Sequence, residues 1–360
     1  MSLLYKLQDS FLGKALSTAV SSTLNPFITG PLLAFLEKAP QSTIQDLLQR
    51  ASLPADYDLT TVKLVLTALT AVGALRTANN KLSSMAVNNW RLGGAPGWDW
   101  PKEIAVVTGG SSGIGLAIVH KLLAKGIKVA VFDIQPLPKE LQGKPNVRYY
   151  KCDVTSSKSI AEAGAGVRGD FGEPTIFVNN AGIAVPRAIL DIEEKALQKI
   201  FAINTMAHWL TVQEFLPSMV KANKGHFVTV ASVASFVCLP GHADYGATKA
   251  SALAFHEALQ VELKAVYDAP NVLTTIVHPN FVATPLLTDF KSHLEESGVT
   301  FLTPEQVAQD TCAQIFSKKS GQVIVPKAST VASLIRSWPW WMQTTIHRFL
   351  GANAKKLGGR

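Results

Sequence analysis

Between residues 101 and 330 the chain alternates two kinds of apolar run, and this alternation limits its fold more than any other feature. Glu103–Thr108, Lys128–Asp133, Val147–Asp153, Thr175–Asn179, His226–Ala231 and Val272–His278 are short and rich in β-branched residues. Between them lie longer stretches, such as Ile114–Lys125, with apolar residues at helical spacing. Strands that are apolar almost throughout need cover on both faces, and a parallel sheet wrapped by crossover helices provides it. The expected architecture is a doubly wound α/β domain over residues 101–330, with a helical extension at 1–100 and a basic, Trp-rich tail at 331–360.

Composition supports a large core: 47% of residues are hydrophobic and 17% charged, which excludes a disordered or low-complexity chain. Three cysteines without short spacing argue for a reducing compartment and against a disulfide framework. The eight histidines show no metal-ligand spacing, so no metal is expected. The net charge of +8 is unevenly placed. Residues 101–320 hold twenty basic and twenty acidic side chains, whereas residues 321–360 hold six basic and none acidic.

The head and tail carry weaker signals. Leu3, Leu4, Leu7, Phe11, Leu12, Leu16, Val20 and Leu24 form one helical stripe, which fits either packing against residues 42–75 or lying on lipid. Residues 42–51 and 59–75 are expected to be helical. Gly73–Leu75 followed by Asn79 and Asn80 reads as a helix end and a turn. Ala15–Leu36 is broken by Pro26, Gly30 and Pro31, and the twelve residues Leu64–Leu75 suit a buried helix better than a bilayer crossing. No membrane span and no secretory signal is expected. With Lys63 the sole basic group on the second helix of a helix–turn–helix-like pair, nucleic acid is not an expected partner. In the tail, Trp338, Trp340 and Trp341 stand among Arg336, Arg348, Lys355, Lys356 and Arg360. That pattern fits an anionic lipid surface, or docking at a subunit contact or the substrate entrance.

Chemistry is concentrated where strands end. Thr108–Gly115 reads TGGSSGIG after a strand and before a helix. Gly109, Gly113 and Gly115 allow a tight turn and close backbone approach. The amides of Ser111, Ser112, Gly113 and Ile114 can face a pyrophosphate at the helix N-terminus. Asp133 closes the second strand, where a carboxylate can accept from ribose hydroxyls and repel a 2′-phosphate. The residues that follow, Ile134 and Gln135, offer a 2′-phosphate no cation, so NAD is expected rather than NADP. Tyr245 and Lys249 fall at i and i+4 on one helix face, which places an ammonium beside a phenol and is expected to lower its pKa. Ser232, at the end of the strand His226–Ala231, can hydrogen-bond a substrate oxygen.

TGGSSGIG, the NNAG of Asn179–Gly182, Asn204 at an expected helix start, Ser232 and the pair Tyr245/Lys249 occur in the order and spacing of the short-chain dehydrogenase/reductase family. The chain resembles that family over residues 101–330. The resemblance implies a Rossmann-type fold and hydride transfer between a nicotinamide and an alcohol or carbonyl. It implies that Tyr245 is the acid/base and that Lys249 assists it and binds the nicotinamide ribose. Ser232 would steady the substrate carbonyl, and Asn204 would hold a relay water. It also places Asp153 and Val154 at the adenine, Asn180, Ala181 and Gly182 beside the ribose, and Val282 and Thr284 at the carboxamide.

The family has Pro-Gly where this chain has Pro279-Asn280. That departure is similar to the branch of retinol dehydrogenases and lipid-droplet 17β-hydroxysteroid dehydrogenases. The implied substrate is lipophilic (steroid, retinoid, sterol or fatty alcohol), with Phe281, Leu286 and Leu287 on the segment over it. The implied setting is a homodimer on the cytoplasmic side, peripheral on endoplasmic reticulum or lipid droplet. The contrasting expectation is a catalytically silent binding protein of the same fold, which usually loses the Tyr, the Lys or the Gly loop; all three are present.

Overall fold

A computed structural model of the protein describes residues 22–290, 295 and 299–351. The stripe from Leu3 to Val20 and the basic residues Lys355, Lys356 and Arg360 lie outside the described residues. The chain divides into two compact units between Trp90 and Arg91.

The first unit is helical: α1 is Pro26–Lys38, α2 is Gln41–Arg50 and α3 is Thr60–Val87. The Asn25 side chain caps α1 by accepting from the Phe27 amide, and Pro26 occupies the first turn, where its missing N–H has no acceptor to serve. Pro26 therefore starts this helix, and Pro31 lies inside it without ending it. A second expectation also fails, because α3 runs straight through Gly73–Leu75, Asn79 and Asn80. Gly73 is a point of close approach and not a terminator: a Cβ there would sit 2.5 Å from the Leu24 carbonyl oxygen. Nor is α3 a buried helix. Leu64 and Leu75 are 69% and 72% exposed. By length and composition α3 could cross a membrane, and 11% of its apolar window is buried.

The second unit is the expected doubly wound fold. Its strands are β1 (Ile104–Thr108), β2 (Lys128–Asp133), β3 (Val147–Lys151), β4 (Ile176–Asn179), β5 (Gly225–Val230), β6 (Val272–Pro279) and β7 (Gly321–Val325). They form one sheet in the order β3-β2-β1-β4-β5-β6-β7, every pair parallel. Sequence reading anticipated the first six; β7, a five-residue run after a helix, was not singled out. The helices are α4 (Gly113–Ala124), α5 (Ser157–Asp170), α6 (Glu194–Phe201), α7 (Ala207–Ala222), α8 (Ala243–Ala265) and α9 (Pro304–Phe316).

Alternate strand residues feed two apolar layers. Val107, Val131 and Val228 pack with α4 and α9 on one face, and Phe132, Phe177 and Phe227 pack with α5, α7 and α8 on the other. Phe177 stacks on Phe227 at 5.5 Å and lies 4.7 Å from Phe215. Strand order reverses between β1 and β4, which opens a crevice at their C-terminal ends. The segment after Trp90 belongs to this unit: the Ala95 amide donates to the Lys318 carbonyl at 2.7 Å, and Trp98 and Trp100 pack on the core. At the other end, α10 (Trp340–Gly351) follows a turn in which Arg336 Nε donates to the Phe236 carbonyl at 2.9 Å.

Candidate active site

The Gly loop leaves β1 sharply. Gly109 (φ +64) and Gly113 (φ +54) adopt left-handed backbone, and the Gly109 amide donates to Phe132 O at 2.8 Å. A Cβ at Gly115 would lie 2.2 Å from Gly109 O, so only glycine lets the helix start this close to the turn. Ser112 precedes α4 without a side-chain cap, which leaves the first-turn amides of Gly113, Ile114 and Gly115 for an anion. Such a bare cradle fits the pyrophosphate of a dinucleotide.

Asp133 is tied into that cradle. Its Oδ2 accepts from the Ser111 amide at 3.0 Å and its Oδ1 from the Gln135 amide at 2.9 Å. Ser111 Oγ adds a bond to Gln135 O at 3.1 Å. The carboxylate thus holds the loop shut against β2 and keeps acceptor capacity for further donors. Asp153, past the end of β3, is exposed and accepts from the Thr155 amide and hydroxyl at 2.9 and 2.7 Å, while Val154 is buried beside it.

The exit of β4 is braced by Thr108. Its hydroxyl oxygen accepts from the amides of Asn180 and Ala181, both at 3.0 Å. Asn180 Nδ2 returns bonds to the carbonyls of Thr108 and Gly109. Gly182 then runs against two of the expected site residues, its ideal Cβ 3.3 Å from Asn204 Oδ1 and 3.6 Å from Lys249 Nζ. Asn204 is fully buried. It does not start a helix, as the sequence implied; it sits in a π-turn, Ala202–Met206, between α6 and α7. The wider turn aims its amide inward, where Nδ2 donates to Ile183 O at 2.9 Å and Thr248 Oγ1 at 3.2 Å, and Oδ1 accepts from the Ile183 amide at 2.9 Å.

Ser232 caps the short turn after β5, its Oγ accepting from the Ala234 amide at 3.1 Å. Ser232 also acts on the Tyr245 phenol, favouring its ionised form. Lys249 Nζ donates to Val230 O at 2.9 Å and lies 5.6 Å from the Tyr245 ring centroid. Burial pushes the Tyr245 phenol above its usual value, and Ser232 opposes that shift. Burial also pulls Lys249 down to about 8. In the free protein the phenol is therefore shifted upward, against the expected depression, and burial is the largest cause.

Beyond β6, Val282 bridges to Leu302 and is buried, and Thr284 lies against the Gly loop, its Cγ2 3.1 Å from an ideal Cβ on Gly113. Asn280, the departure from Pro-Gly, has its amide on Val325 O at 2.8 Å and its Nδ2 on Ser329 Oγ at 3.1 Å, which fastens the end of β7 and the turn after it to β6. Sequence reasoning missed Thr108, Thr248 and a buried network behind Ser232. There His278 Nδ1 lies 3.1 Å from Ser232 O and 2.9 Å from Ser235 Oγ, with Gln322 at its other nitrogen. A polar residue at a strand end is the signal that could have marked Thr108 and His278; Thr248, inside α8, carries no such signal.

Residues 103–295 match the family model for short chain dehydrogenase. The chain belongs to that family. Dehydrogenase RED2 of Cochliobolus heterostrophus is 37% identical over 64% of this chain and 85% of its own length. Human estradiol 17-beta-dehydrogenase 11 is 30% identical over 71% of this chain and 83% of its own. Among solved structures, a 3-ketoacyl-(acyl-carrier-protein) reductase from Brucella melitensis complexed with NADH superposes with a TM-score of 0.57 at 23% identity, covering 63% of this chain and 98% of its own. This short-chain dehydrogenase is an oxidoreductase acting on CH–OH donors with a nicotinamide cofactor.

Proposed function

We propose that the enzyme oxidises a lipophilic alcohol with NAD⁺, using Tyr245 as general base and Ser232, Lys249 and Asn204 as its partners. The observation that carries this reading is their convergence: Ser232 acts on the Tyr245 phenol, Lys249 Nζ lies 5.6 Å from the Tyr245 ring centroid, and Gly182 runs beside both Asn204 and Lys249. A nicotinamide bound in the crevice supplies the hydride acceptor and a positive charge. Gly109, Ser111–Gly115 and Asn180–Gly182 would hold its pyrophosphate and ribose, with Val282 and Thr284 at the carboxamide. Asp153 and Val154 would border the adenine.

In this reading the Tyr245 phenolate oxygen takes the substrate hydroxyl proton, and the Ser232 hydroxyl donates to the same substrate oxygen as it becomes a carbonyl. Lys249, softened by burial, stabilises the phenolate and passes the proton on. Asn204 fixes the far side of that path through Ile183 and Thr248. Tyr245→Phe should lower kcat by about 10²–10⁴-fold with cofactor binding retained. Near wild-type turnover in that variant would defeat the assignment.

NAD rather than NADP is favoured because the Asp133 carboxylate is pinned at the ribose end of the loop, and Ile134 beside it is apolar and exposed. Asp133→Ser combined with Ile134→Arg should shift the kcat/KM ratio toward NADP; an unchanged ratio would place ribose recognition elsewhere. A lipophilic substrate is supported by Phe281 and Phe301, 6.4 Å apart beyond the site, and by relatives named for estradiol.

The tail supports a lipid-surface setting. Trp340 and Trp341 are 80% and 71% exposed beside Arg348, and residues 321–360 contain no acid. Trp340→Ala/Trp341→Ala should weaken binding to anionic vesicles. A homodimer is supported by exposed Met206 in the π-turn that holds Asn204, Trp209 on α7 and Val261 on α8, which carries Tyr245; a monomeric mass in sedimentation would exclude it.

A further inference from the structure

We propose that residues 22–90 form a helical hairpin embedded in a lipid bilayer, with α1 and α3 packed on each other through small residues and their large apolar side chains turned to acyl chains. This unit lies outside residues 103–295, which match the family, and the proposal uses no catalytic assignment.

The first observation is the helix contact itself. An ideal Cβ on Gly30 meets Thr70 Cγ2 at 3.6 Å, and one on Gly73 meets Leu24 O at 2.5 Å. Thr29 is buried with Gly73 at this crossing. These pairings (24 with 73, 30 with 70) run antiparallel. In water, two amphipathic helices bury their large apolar residues between them. Here the closest approach is made at small residues, as between helices in lipid, while Leu33, Leu36, Leu66 and Leu69 are half-buried.

The second observation is the outer surface. Phe27, Ile28, Leu32 and Phe35 on α1 are exposed, as are Leu64, Val65, Val72 and Leu75 on α3. An outward apolar face on both helices fits a medium that wraps the pair, rather than one partner helix seated on a single seam. So much contiguous apolar surface is foreign to a water-facing unit.

Third, the threonines along the apolar stretches of α1 and α3 are bonded inside the hairpin. Thr29 donates to Asn25 O at 3.1 Å, Thr67 to Lys63 O at 2.8 Å, Thr70 to Leu66 O at 2.7 Å and Thr77 to Gly73 O at 2.8 Å. Each of these four hydroxyl donors is thus used within its own helix, which hydrocarbon requires and water does not. The charges complete the picture. Residues 64–75 contain none, and Lys63 and Arg76 bound them, with stems long enough to carry their cations to headgroup level. Asp46, Arg50, Asp56 and Asp58 fall in the connection between α1 and α3, where water is expected.

The test uses the full chain expressed in cells, with microsomes washed in alkaline carbonate. Wild type should remain in the pellet, and so should Trp340→Ala/Trp341→Ala, which separates the hairpin from the tail. Leu64→Gln/Val72→Gln/Leu75→Gln should move most of the protein to the supernatant with dehydrogenase activity intact. As a second readout, Leu75→Cys on a Cys238→Ser background, carrying an environment-sensitive dye, should be quenched by acyl-chain nitroxides in phosphatidylcholine vesicles. Release of wild type by carbonate, or no quenching at residue 75, would overturn the proposal. So would a triple variant that stays in the pellet, or one that only halves the assembly size in detergent, which would point to a second copy instead. Loss of turnover in Tyr245→Phe leaves all of these outcomes unchanged, so the two readings fail separately.

Discussion

The two units treat apolar residues in opposite ways. In the dehydrogenase unit, strand residues such as Val106, Val131, Phe177 and Val228 have no exposed surface. In the helical unit, Leu64, Val72 and Leu75 stand outside while a glycine and a threonine occupy the contact. Both stretches are apolar in sequence, so hydrophobicity alone does not say where a residue goes. What decides it is whether a second element covers the stretch and how large the side chains at the contact are.

Glycines give the sharpest way to break this comparison. Gly115 and Gly73 both sit where a Cβ would strike a carbonyl oxygen, at 2.2 and 2.5 Å. Gly115→Val should abolish cofactor binding and turnover, because backbone on both sides of the clash is fixed by Asn180 and the sheet. Gly73→Val should leave cofactor affinity unchanged and disturb only the hairpin contact. Cofactor titration of both purified variants checks this; loss of affinity in Gly73→Val would mean the units depend on each other.

The next effect concerns stability. Phe177→Ala removes a ring that is fully buried between Phe215 and Phe227, and should cost about 3–5 kcal/mol of unfolding free energy. Leu75→Ala removes a side chain that is 72% exposed, and in detergent should change stability by no more than about 0.5 kcal/mol. Denaturant unfolding followed by tryptophan fluorescence reads both. Equal losses would show that Leu75 is packed against protein after all.

Much of the dehydrogenase unit was legible because its strands are buried on both faces and its loops carry residues with one plausible backbone use, such as Gly109 and Gly113 at positive φ. The pairing of Tyr245 with Lys249 followed from helical spacing. What stayed hidden depends on contacts far apart in sequence. The Asn280–Ser329 bond, the Asn204–Thr248 bond and the π-turn at Ala202–Met206 leave no periodic trace. Gly73 illustrates the limit most clearly. A glycine before two asparagines reads as a helix end, and only the chain crossing at Leu24 reveals it as a packing site. The direction of the Tyr245 shift was hidden for the same reason, since burial of a helix face is a tertiary fact.

A last comparison, small for any one residue, separates the units by pH. The described sheet unit buries four histidines that burial holds neutral: His208, His226 and His256 are pulled down to about 3, and His278 to about 4. Residues 1–90 contain no histidine. An unfolded chain binds these protons near pH 6.5 while the folded one refuses them until far lower. Between those values the unfolded state holds more protons, so stability is full above about pH 6.5 and falls as pH drops. From pH 7 to pH 5 each such histidine should remove about 1–2 kcal/mol from the dehydrogenase unit. His256→Gln should make the pH slope shallower by about one proton, because the neutral amide has nothing to titrate. Denaturant midpoints at pH 7, 6 and 5 for wild type and variant measure that slope. The same slope in both would mean that His256 already takes up its proton in the fold, and that its unpartnered Nδ1 has a route to solvent.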